Sequence, residues 1–76
     1  MTTPIKMKNV ADIEKINAIV SKYPYEIWIH AKSGTADAKS ILGMFILKLD
    51  EPLLLVTPDD VDSKRLFKEL KDYIEF

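Results

Sequence analysis

Seventy-six residues, 47% of them hydrophobic and 30% charged, describe one small soluble domain with room for a single core and none for a second domain. The chain has no cysteine, which excludes disulfides, thiolate metal sites and a cysteine nucleophile. Eleven basic and twelve acidic residues leave a net charge of −1 with the signs interleaved, so no electrostatic footprint for nucleic acid or an anionic membrane appears, and the expected partner is a protein.

The N-terminal stretch Met1 to Lys8 lacks the apolar run of a signal peptide. The longest apolar stretch, Ile41 to Leu47, is far too short to span a bilayer, so the expected location is the cytoplasm. Thr3 to Lys8 alternates weakly around Ile5 and Met7 and suits a first strand with Pro4 near its start. Asn9 then precedes Val10, Ile13, Ile16, Val20 and Tyr23, spaced three or four apart. That is an amphipathic helix ending before Pro24, with Asp12 completing a variant capping box.

From Tyr25 the period changes to two. Tyr25, Ile27, Ile29 and Ala31 point one way while Glu26, Trp28, His30 and Lys32 point the other. Ser33-Gly34 reads as a hairpin turn and Thr35 to Ala38 as the return strand. Ser40 then caps a short helix running to Leu47 or Lys48. After the break at Asp50-Glu51-Pro52, the run Leu53 to Thr57 is a central strand. The last segment places Leu66, Phe67, Leu70, Tyr73 and Ile74 on one stripe, begins at Asp60 or Asp62, and turns Lys64, Arg65, Lys68 and Lys71 outward. The order is β-α-β-β-α-β-α, which implies an α+β two-layer sandwich, helices on one sheet face and the other face open, with Trp28 and His30 on the open side if the Ile27 and Ile29 side is the covered one.

In this order and spacing the chain resembles the phosphocarrier protein HPr of the bacterial sugar phosphotransferase system. The residues that carry the resemblance are Ser21-Lys22-Tyr23, the turn at Ser33-Gly34, and above all Lys39-Ser40-Ile41-Leu42-Gly43. The resemblance covers most of the chain, with a small deletion near Asp50. It implies an open-faced β-sandwich built on a four-stranded antiparallel sheet. It also implies a regulatory phosphorylation site at Ser40 and a partner-docking surface formed by Lys39, Ser40, Ile41, Leu42 and Phe45. Partners of that kind are phosphotransferase-system components, transcription regulators or a serine kinase.

One part of the family pattern is missing. Phosphate-carrying members open their first helix with Gly-Ile/Leu-His-Ala-Arg-Pro-Ala, whereas the run here is Met7-Lys8-Asn9-Val10-Ala11-Asp12-Ile13 and keeps none of the seven. The histidine position falls on Asn9 and the arginine position on Ala11. An asparagine amide offers no imidazole-like lone pair, so Asn9 cannot accept a phosphoryl group, and Asp12 repels an incoming phosphate.

Each remaining candidate has two readings. Ser40 is either a plain cap or a phosphate acceptor beside a docking patch. Phe45 either fills the core or joins Ile41 and Leu42 at the surface. His30, the single histidine, lies mid-strand beside Glu26, Trp28 and Lys32, without the arginine or helix start that would receive phosphate, and reads as a solvated strand residue. Metal binding by His30 lacks further ligands, since Glu26 alone is a poor candidate. Trp28 either covers the sheet or marks a second contact. The chain is therefore expected to be a non-catalytic adaptor or regulator without metal or cofactor, a monomer or a weak homodimer. Phosphotransfer through His30 and oligomerisation through the open sheet face are its alternatives.

Overall fold

The computed structural model describes residues 1–75. Four strands and three helices follow in the order β1 (Thr2–Ile5), α1 (Val10–Val20), β2 (Trp28–Ala31), β3 (Gly34–Asp37), α2 (Ile41–Met44), β4 (Leu53–Val56) and α3 (Lys64–Glu69). The strands form one antiparallel sheet in the order β1-β4-β2-β3. The continuously apolar strand β4 thus lies inside the sheet, between β1 and β2, as its composition requires.

The register explains which side chains are hidden. One face carries Ile5, Leu53, Leu55, Ile29 and Ala36, all buried, and these share a single core with Ile13, Ile16 and Val20 of α1, Met44 of α2 and Leu66 of α3. The opposite face carries the rows Pro4–Leu54–His30–Thr35 and Thr2–Val56–Trp28–Asp37. No helix among the described residues covers these rows, and most of their residues are exposed. The architecture is α+β, two layers deep, with Trp28 and His30 on the open face.

Helix α1 starts where its capping residues dictate. Asn9 Oδ1 accepts from the Asp12 N–H at 3.0 Å and Asp12 Oδ2 accepts from the Lys8 N–H at 2.9 Å, so two otherwise orphaned donors at the helix start are satisfied. Val10, placed by its spacing on the apolar stripe, is exposed instead, because it is the first helical residue and the core begins a turn later at Ile13.

Several boundaries differ from expectation. Strand β1 stops at Ile5 because the chain then meets the C-terminal segment: the Lys6 N–H donates to the Tyr73 carbonyl, the Glu75 N–H donates to the Pro4 carbonyl, and Ile5 bridges Ile74. That segment covers the free edge of β1. Strand β2 begins at Trp28 rather than Tyr25, since Pro24 and Tyr25 lie in a bend; Tyr25 and Ile27 nevertheless face inward. The hairpin turn is Lys32-Ser33 rather than Ser33-Gly34. Gly34 opens β3 with φ of +149°, a conformation that L side chains rarely adopt. Helix α3 ends at Glu69 and continues as turns, while Leu66, Leu70 and Ile74 keep the helical stripe buried.

Candidate docking site

The segment from Asp37 to Leu47 is shaped by short-range bonds. Asp37 orders the entry: its Oδ1 accepts from the Lys39 N–H at 2.9 Å and its carbonyl accepts from the Ser40 N–H at 2.9 Å. Asn17 Nδ2 donates to the Ala38 carbonyl at 3.0 Å, which ties this entry to α1. Ser40 then caps α2, its Oγ accepting from the Gly43 N–H at 3.3 Å.

Helix α2 is one turn long and ends at Met44, not at Leu47 or Lys48. Gly43 weakens any longer helix, and after Phe45 the chain closes a tighter turn in which the Leu47 N–H donates to the Met44 carbonyl at 3.2 Å. Met44 and Leu47 both enter the core. With anchors three residues apart in a tight turn, Phe45 and Ile46 between them must face outward. Leu42 is 77%, Ile46 78% and Phe45 43% exposed.

The expected patch is therefore rearranged. Leu42 and Phe45 stand at the surface, while Ile41 is half-buried against the core. Ser40 is exposed. Lys39 is half-buried and its ammonium donates to the Tyr23 carbonyl just beyond α1, so its charge is engaged within the fold. Ile46 lies outside the expected set because that set follows the resemblance, whose docking surface ends at Phe45. Its signal was present in the apolar run, which holds more large side chains than two turns of helix can hide.

The positions matched to the phosphate-accepting loop lie at the start of α1. Ala11 is exposed, and the Asn9 amide oxygen is committed to the Asp12 N–H. Asn9 lines an open groove of about 430 Å³ with Lys6, Lys8, Asp12, Asp72 and Glu75. Three carboxylates against two ammonium groups make this groove unfavourable for a phosphate. His30 lies across the sheet from Leu54 and Thr35, neither of which is a charged or basic partner. Among the described residues no group of three or more acidic or histidine side chains is arranged to hold a metal ion, and no helix is long and apolar enough to cross a membrane.

A polar cluster joins the far end of α1 to α3. The Tyr23 hydroxyl donates to Glu69 Oε1, Lys22 Nζ donates to Glu69 Oε2, and Arg65 Nε lies 4.0 Å from Oε1. Burial, followed by its bond to the Glu69 carboxylate, pushes the Tyr23 hydroxyl up to about 12. The hydrogen bond from Lys22, followed by that from Tyr23, holds Glu69 below the usual carboxylate range. The Tyr23 and Lys22 contacts leave no local signal in the sequence, because these residues lie 46 and 47 positions from Glu69, whereas Arg65 and Glu69 are an i,i+4 pair.

No protein-family model, curated protein or solved structure matches this chain.

Proposed function

We propose that this chain is a non-catalytic docking protein of HPr-like architecture that works in the cytoplasm and engages a protein partner through the α2 turn. The observation that carries the reading is the adjacent exposure of Leu42, Phe45 and Ile46. Three large apolar side chains stand exposed within five residues, Phe45 and Ile46 held outward between the buried Met44 and Leu47, and a cluster of this kind is what an interaction site presents. The sheet order β1-β4-β2-β3 and the element order support the HPr-like part. The commitment of the Asn9 amide oxygen to the Asp12 N–H and the acidic groove that Asn9 lines support the loss of histidine phosphotransfer.

Ser40 gives the surface a point of control. Its hydroxyl is exposed at the edge of the patch, and phosphorylation would add about −1.5 to −2 charges there. Such a charge opposes docking of an apolar or acidic partner surface and favours a basic one. Two measurements test the reading. Affinity capture with wild-type, Leu42→Ser and Ile46→Ser protein should retain a specific partner on the wild type alone; identical capture by all three would reject the patch. Incubation with an HPr-type serine kinase and ATP, followed by intact mass, should add one phosphate to the wild type and none to Ser40→Ala.

The open sheet face favours a second reading. Trp28 stands beside Val56 in one row and Leu54 beside Pro4 in the next, giving an apolar strip on a surface no helix covers. Pairing of two chains through this strip would make a weak homodimer. Light scattering over a dilution series, with Trp28→Thr as the control, should show a mass that falls on dilution only for the wild type.

A further inference from the structure

Tyr23 joins two elements that are distant in the chain. Its carbonyl accepts from Lys39, the residue before the α2 cap, and its hydroxyl donates to Glu69 on α3. Helix α2 packs on α1 and β3, and α3 packs on α1. The route from α3 to the docking turn therefore runs through the end of α1, where Tyr23 sits. The Tyr23 ring is half-buried against the core and lies 5.9 Å from the Tyr25 ring, so packing and the Glu69 bond together set its position.

We propose that Tyr23 couples α3 to the docking turn, the Glu69 bond at its hydroxyl fixing the carbonyl that in turn holds Lys39 at the start of α2. The inference rests on the docking reading for its consequence, while the coupling itself is a property of the isolated chain. Loss of the Glu69 bond frees the ring and blurs the direction of the carbonyl. Loss of the Lys39 bond frees the carbonyl and leaves the ring bond less restrained. Linkage makes the two effects reciprocal. Whatever draws the Glu69 carboxylate away from Tyr23 loosens the turn that presents Leu42, Phe45 and Ile46, and a partner seated on the turn tightens the Tyr23–Glu69 bond.

Amide hydrogen exchange on the isolated protein tests this. The reporters are the Gly43, Met44 and Phe45 N–H groups, which donate within the turn, with the Ile29 and Leu55 N–H groups as sheet references. Tyr23→Phe and Lys39→Met should each raise exchange at the reporters by about tenfold, and the double variant should rise little further, because both changes break one chain of bonds. Lys39→Arg, which keeps a donor, should stay close to wild type. Effects that multiply in the double variant, reporters unmoved by Tyr23→Phe, or sheet references that rise equally would each overturn the coupling. The docking reading is judged separately by capture with Leu42→Ser. Capture lost together with multiplying exchange effects leaves docking standing and removes only the coupling.

Discussion

Ser40 Oγ accepts from the Gly43 N–H at 3.3 Å, and a Cβ added at Gly43 would lie 3.3 Å from the same oxygen. The cap and the glycine are thus fitted to each other. Replacing Gly43 by alanine should gain up to about 1 kcal/mol of helix propensity, less whatever the Ser40 hydroxyl gives back when it is pushed aside. Ser40→Ala removes the cap at a cost of about 1 kcal/mol and also clears the space. Urea unfolding of the two single variants and the double should therefore show that Gly43→Ala stabilises more in the Ser40→Ala background than in the wild type. Equal gains in both backgrounds would mean the close approach has no energetic consequence.

Neighbouring residues of the α2 turn should respond very differently to truncation. Met44 is fully buried, and Met44→Ala should cost about 2–5 kcal/mol through lost contacts and the cavity left behind. Leu42 and Ile46 are more than three-quarters exposed, so Leu42→Ser and Ile46→Ser should change stability by no more than about 0.5 kcal/mol. Chemical denaturation of the three variants is the measurement. A large loss from Leu42→Ser would place that residue in the fold rather than on the proposed docking surface.

The features that were legible in the sequence are those whose cause is local. The alternation from Tyr25 to Lys32 gave the correct faces because a half-buried strand exposes every second residue, and Ile27 and Ile29 are fully buried while Glu26, Trp28 and His30 are exposed. Asn9 and Asp12 announced the start of α1 because capping uses neighbours in the chain. The hairpin slipped by one residue because Gly34 suits a turn and an unusual strand opening equally well. In the run from Ile41 to Leu47, nearly every residue is apolar, so periodicity could not show where the helix ended or that Ile46 faces out. The Tyr23–Glu69 and Lys39–Tyr23 bonds depend on how α1, α2 and α3 meet, which no local pattern encodes.

Histidine phosphotransfer makes a further prediction. Incubation with phosphoenolpyruvate and the first enzyme of the phosphotransferase system should leave the chain without an acid-labile phosphoramidate. Asn9 has no nucleophilic ring nitrogen, and His30 has only Leu54 and Thr35 across the strands to receive a phosphate. Asn9→His should also remain unlabelled, because Asp12, Asp72 and Glu75 still line the groove. Label on the wild type, mapped to His30, would replace the docking reading with a carrier.

Alkaline pH should weaken the fold through Tyr23. Its hydroxyl is raised from 10.0 to about 12, by burial first and the Glu69 bond second, so the folded chain holds this proton where the unfolded chain has released it. The stabilisation is complete below pH 10 and falls away between pH 10 and about 12, since over that window the unfolded state binds fewer protons. Glu69 acts in the opposite sense. Its depressed value, set by the Lys22 bond and then by Tyr23, contributes stability above the ordinary carboxylate range that is lost as pH falls through the folded value. Urea midpoints measured across both windows should drop at the two ends. Tyr23→Phe should flatten the alkaline limb relative to wild type, and Glu69→Gln should flatten the acid limb. An alkaline limb unchanged in Tyr23→Phe would show that other groups carry it.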